Sequence, residues 1–269
     1  MSEFNLPKKY PIVVFVILAY LPMVLLLFIT LPPEIPFEAF LVIGSWAPNI
    51  AAIIVLGLIL NEKGGIRSLF AGWGKWKVGF KWYLAAISPL AVAFLAAGTY
   101  LFFGGKRVPQ EQPMTASVLL ISFLLSLITG AMGEELGWRG FMLPRLQARF
   151  NALVSGLIVG IVWAFWHLPL WYLPGMVWEA LPFWAFALQA VTSTIVFTWV
   201  INNTGGSMVM ATVIHLMMNF GLNVVMGLGL APPSNFAVFS SGLFTIYAIV
   251  VTILAGPKNL SRHSERYTI

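Results

Sequence analysis

A chain of 269 residues with 59% hydrophobic and 9% charged residues has too few charges to cover a soluble globule, which carries roughly 25%. Cysteine and aspartate are both absent, which excludes disulfides, thiolate metal sites, a cysteine nucleophile and an aspartyl dyad. The net charge of +6 is scattered over the ends of apolar runs, so it points to anchoring at a membrane surface and not to nucleic acid.

About 20 apolar residues carry a helix across the hydrocarbon at 1.5 Å per residue. Eight runs of that kind follow one another, near 12–31, 39–60, 82–103, 115–142, 152–173, 183–201, 207–230 and 236–256. Joints such as Leu31-Pro32-Pro33 and Asn202-Asn203-Thr204-Gly205-Gly206 separate several of them. The expected fold is therefore all-α: one polytopic membrane domain over 1–269 with about eight transmembrane helices and its site inside the helix bundle. The first run is read as a span, because it is too long for a removable leader and lacks the small-residue cleavage site.

With the N-terminus inside, thirteen of the fifteen Lys and Arg fall on the cytoplasmic side and only Lys106 and Arg107 outside. That bias predicts a multi-pass protein with both termini cytoplasmic, in a prokaryotic plasma membrane. Trp73, Trp76 and Trp82 interleave with Lys75, Lys77 and Lys81, which reads as an amphipathic stretch along the inner interface before the third span.

The fourth run continues into Gly133-Glu134-Glu135-Leu136-Gly137-Trp138-Arg139. If Arg145 marks the inner surface, Glu134 stands about 16 Å above it by the helical rise. An uncompensated charge there costs roughly 3 kcal/mol or more. Glu135 and Arg139 are four apart and can neutralise each other. Glu134 is rotated about 100° from that pair and so must face something else.

Two of the three histidines also lie in apolar runs: His167 closes the fifth, and His215 lies in the seventh with Asn219 one turn further on the same face. Each alone reads as a helix-to-helix hydrogen-bonding group. Together, Glu134, His167, His215 and Asn219 are a concentration of polar groups on three helices, which marks a functional site.

In that order, Glu134-Glu135-x-x-x-Arg139, Trp163-x-x-x-His167 and His215-x-x-x-Asn219 resemble the three signature motifs of the CAAX-protease and bacteriocin-processing family, also called the Abi family. The resemblance covers 115–222, about 40% of the chain. The family usually has phenylalanine where Trp163 stands, a departure expected to alter packing more than chemistry.

The resemblance implies an eight-helix intramembrane peptidase acting on prenylated proteins or other membrane-associated peptides. Glu134 and His167 would activate water, and His215 and Asn219 would stabilise the oxyanion. Glu135, Arg139 and Trp163 would support them. A divalent metal such as zinc stays open, with Glu134, His167 and His215 as candidate ligands. No His-Glu-x-x-His and no Gly-x-Ser-Gly is present, which argues against site-2-type zinc and rhomboid-type serine chemistry. The nearest serine, in Leu153-Val154-Ser155-Gly156, reads as a helix-packing site.

Two other classes compete. A proton-coupled transporter would relay protons through Glu134 and the histidines, with Pro22, Pro48, Pro89 and Pro169 breaking its helices. A non-catalytic scaffold would keep the fold alone.

Overall fold

The computed structural model describes residues 6–28, 42–110, 113–173, 176–262 and 265–268. Among them there is no strand. The main helices are α1 (Pro11–Leu25), α2 (Ala47–Ile59), α3 (Gly65–Ala71), α4 (Phe80–Phe102), α5 (Ala116–Gln147), α6 (Ala152–Trp166), α7 (Phe183–Asn203), α8 (Met208–Gly227) and α9 (Pro233–Ala255). By length and composition six are able to cross a membrane: α4, α5, α6 with its 3-10 extension Leu168–Tyr172, α7, α8 and α9. The first two of the eight expected runs form the shorter apolar helices α1 and α2. Their expected ends at 29–31 and 39–41, and the Leu31-Pro32-Pro33 joint, lie outside the described residues.

Helix boundaries follow local chemistry. Thr115, Asn151 and Ser207 cap α5, α6 and α8 by accepting from the backbone amides of Val118, Val154 and Met210, which satisfies donors the first turn leaves free. Proline opens α1 and α9, where its missing N–H costs nothing. The α7–α8 joint turns through Gly205 and Gly206, both at positive φ.

Small residues bring the helices together, as dispersion contacts require where lipid removes the hydrophobic drive. A Cβ on Gly156 would stand 2.9 Å from Thr198 Oγ1, and one on Gly160 2.7 Å from Val191 Cα. The Ser155-Gly156 pair thus packs α6 onto α7, as expected. Ala93 of α4 meets Gly221 of α8 in the same manner. Helix α7 is buried along most of its length and carries no acidic or basic residue.

The stretch before α4 differs from the amphipathic segment expected. It is helix α3, a 3-10 turn over Gly72–Gly74 and an extended link. Trp76 is exposed beneath Lys77, whereas Trp82 is buried against Trp199. The link is pinned to the α7–α8 joint, since Ser207 Oγ donates to Lys75 O at 2.6 Å. That contact holds the stretch beside the α7–α8 joint while Lys75, Trp76 and Lys77 stay exposed. Beyond α9, the chain returns under the bundle. There Gln147 and Asn202 exchange side-chain hydrogen bonds at 3.0 and 2.8 Å, and Gln147 Nε2 also donates to Tyr267 O.

Candidate active site

Helix α5 is not a regular helix where it carries the carboxylates. It widens into π turns at Leu127–Ala131 and Leu136–Met142, with Met132–Glu135 between them. Widened turns redirect backbone groups that a straight helix would pair internally, and they recur at functional sites. Buried Asn49 of α2 takes up two of these groups, one on either side of the acidic pair. Its Nδ2 donates to Met132 O at 2.7 Å, and its Oδ1 accepts from Gly137 N at 3.0 Å. Gly133 and Gly137 permit this approach: added Cβ atoms would stand 2.8 Å from Ser45 O and 2.5 Å from the Pro48 carbonyl. Two glycines and one asparagine thus set the rotation of Glu134 and Glu135.

That rotation sends the two carboxylates in different directions. Glu135 is fully buried, and its Oε1 accepts from Arg139 Nη1 at 3.0 Å and from His215 Nδ1 at 2.7 Å. The expected pair with Arg139 is present, and the contact with His215 is an addition the spacing did not announce. Arg139 reaches Thr194 Oγ1 at 3.2 Å and lies 4.3 Å over the Trp163 ring and 4.0 Å over that of Phe197. The guanidinium is held by a carboxylate, a hydroxyl and two aromatic faces, while its Nε has no hydrogen-bond partner among the described residues.

Glu134 turns instead into a cavity of about 330 Å³, whose lining also includes Trp163, His167, His215 and Asn219. Its Oε2 accepts from Trp163 Nε1 at 2.6 Å. Phenylalanine cannot make that contact, so the departure from the family pattern brings a polar donor as well as a change of packing. The indole is a donor to the unpaired carboxylate.

Each imidazole is oriented by its δ nitrogen. His167 Nδ1 lies 2.8 Å from Trp163 O. A carbonyl only accepts, so Nδ1 carries a proton, and the ring in its neutral form presents the Nε2 lone pair. His215 Nδ1 likewise donates to Glu135, which leaves Nε2 for the cavity wall. Asn219 joins it there: a Cβ on Gly130 would stand 2.6 Å from Asn219 Nδ2 and 2.9 Å from His215 Nε2. Glycine at 130 keeps that wall open. The rest of the lining is largely apolar and aromatic, with Trp166, Leu170, Trp178, Leu181 and Phe186 among it, and Trp166, Trp178 and Phe186 pack on the His167 ring.

Three distant segments therefore converge on one cavity. Glu134, His167 and His215 line it, yet among the described residues no three carboxylate or imidazole groups stand together so as to hold a metal ion. The second carboxylate, Glu135, is taken up by Arg139 and His215. Asn49, Thr194 and Gly130 were not singled out from the sequence. The only available signal was that Asn49 is an isolated amide in an apolar run.

Comparison with known proteins agrees with the motif resemblance. Residues 116–221 match the family model described as type II CAAX prenyl endopeptidase Rce1-like. Over 174 residues the chain is 26% identical to a protein of Methanococcus maripaludis named CAAX prenyl protease 2. That alignment covers 60% of this chain and 61% of the relative, so the similarity spans less than two thirds of either. All four cavity residues fall inside the matched family segment.

Proposed function

We propose that the chain is an intramembrane endopeptidase that hydrolyses a peptide bond of a membrane-associated substrate. The observation that carries this reading is the sharing of one cavity by Glu134, His167, His215 and Asn219. Similarity to a CAAX prenyl protease supports the same class of chemistry.

In this reading a water lies between Glu134 and His167. Glu134 takes its proton, and the His167 Nε2 lone pair orients the other O–H. The hydroxide adds to the scissile carbonyl carbon, and the carbonyl π electrons pass to oxygen. In its protonated form His215 keeps Nδ1–H on Glu135 and turns Nε2–H to the cavity. There it meets the oxyanion with the Asn219 amide. Collapse breaks the C–N bond, and the proton held by Glu134 goes to the leaving nitrogen. Donors and base are fixed on packed helices before substrate arrives, so little reorganisation is needed.

The largely apolar lining of the cavity suits a substrate carrying a large hydrocarbon group, and prenylated peptide is the class it fits best. The test is cleavage of a quenched farnesylated peptide by purified protein in liposomes. Wild type should cleave it, and Glu134→Ala should abolish cleavage while leaving the thermal midpoint unchanged. Equal turnover by Glu134→Ala would overturn the reading.

A further inference from the structure

Trp163 is 3% exposed and meets Glu134, Arg139, His167 and His215. Its indole N–H donates to Glu134 Oε2 at 2.6 Å. Its ring face carries the Arg139 guanidinium at 4.3 Å. Ring edges meet His167 and His215 at centroid distances of 5.3 Å each, with interplanar angles of 75° and 79°. Its carbonyl fixes the His167 tautomer, a service any residue at 163 would perform through its backbone.

The side-chain hydrogen bond is different, because among the described residues it is the one that Glu134 accepts. A base that must take a proton needs to be held without being neutralised. Arg139, the nearest strong cation, is drawn off by Glu135, Thr194 and two aromatic faces. The indole supplies one donor and no charge. It binds one oxygen and leaves the other, with its lone pairs, to face water. An indole has only two side-chain torsions and is clamped here between helices, so it loses little entropy in holding that geometry.

We propose that Trp163 is a positioning residue for the reaction, its indole N–H fixing the Glu134 carboxylate so that the free oxygen addresses the attacking water. The inference rests on the reading of Glu134 as base. A hydrogen bond to a charged group is worth one to two decades in an equilibrium constant, so its loss is expected to cost about 10- to 100-fold in kcat.

The experiment compares wild type, Glu134→Gln, Trp163→Phe and Trp163→β-(3-benzothienyl)alanine, in which sulphur replaces N–H at nearly constant size. Steady-state hydrolysis of the farnesylated reporter is measured in liposomes, together with thermal midpoints. Both Trp163 variants should lose kcat by about 10- to 100-fold, with KM within about twofold of wild type. If the benzothienyl variant keeps wild-type kcat, or if the loss falls on KM, the side chain serves packing and the inference is overturned. Should Trp163→Phe fail to fold, the isosteric variant decides alone. Absence of hydrolysis by wild type, or full activity of Glu134→Gln, would instead sink the peptidase reading and this inference with it.

Discussion

His215 Nδ1 lies 2.7 Å from Glu135 Oε1, so the second carboxylate of the acidic pair grips an imidazole on another helix while the first faces the cavity. One oxygen thereby serves two partners, since Arg139 Nη1 reaches the same atom at 3.0 Å. In the proposed mechanism the two adjacent glutamates would have separate duties: Glu134 would face water and substrate, and Glu135 would hold the ring that meets them.

Replacing Glu135 by glutamine should therefore injure both structure and turnover. It leaves Arg139, which is fully buried, without its counter-charge, and breaking one partner of a buried pair costs about 3–5 kcal/mol. It also weakens the hold on His215 Nδ1, so turnover should fall by more than the folded fraction does. Thermal unfolding in detergent, paired with kcat per folded molecule, checks this. An unchanged midpoint would show that Arg139 needs no carboxylate.

The four cavity residues were legible in the sequence because carboxylates, imidazoles and amides are conspicuous inside apolar runs. The Glu135–Arg139 spacing is equally plain. Asn49 was not legible, because nothing around it shows that α5 widens into π turns more than eighty residues later and needs a donor and an acceptor there. The Trp163 hydrogen bond depends on how α6 is rotated against α5, a tertiary relationship that motif spacing does not carry. Depths counted along straight helices, about 12 Å for His215 and about 24 Å for His167 by the helical rise, agreed poorly. Both residues nevertheless line one cavity, since such counts take no account of helix tilt.

Glycine substitutions in α5 and α4 should separate contact from propensity. A Cβ at Gly137 would stand 2.5 Å from the Pro48 carbonyl, and that backbone is not free to give way. Gly137→Ala should lower stability by about 1–3 kcal/mol and disturb the Asn49 bridge. At Gly98 of α4 nothing lies within 4 Å of the added methyl. Gly98→Ala should be neutral or raise stability by up to about 1 kcal/mol through helix propensity. Denaturation midpoints of the two variants provide the comparison.

Gly130→Ala probes the oxyanion side in the same way. The added methyl would press on Asn219 Nδ2 and His215 Nε2, at 2.6 and 2.9 Å. Both are side-chain atoms that can swing aside, so the fold should survive while the donors lose their aim. The expected result is a fall in kcat of about 10²- to 10³-fold, the scale of removing one oxyanion donor, with a midpoint near wild type. A loss confined to KM would argue that this wall binds substrate and does not meet charge developed during the reaction.

Chelation tests the route by which water is activated. Among the described residues no three carboxylate or imidazole groups cluster to hold a metal ion, although the hydrogen bonds at Glu134 Oε2 and at Nδ1 of His167 and His215 leave the other oxygen and both Nε2 atoms to the cavity. If Glu134 and His167 activate water by themselves, prolonged dialysis against 1,10-phenanthroline should leave hydrolysis of the farnesylated reporter unchanged, and added zinc should not raise it. Zinc would then inhibit if it acts at all, by occupying the His167 Nε2 lone pair that the proposed mechanism uses. Activity lost to the chelator and restored by stoichiometric zinc would instead require the side chains to regroup around the ion. Indole fluorescence during metal addition would report whether the Trp163–Glu134 hydrogen bond changes in that regrouping.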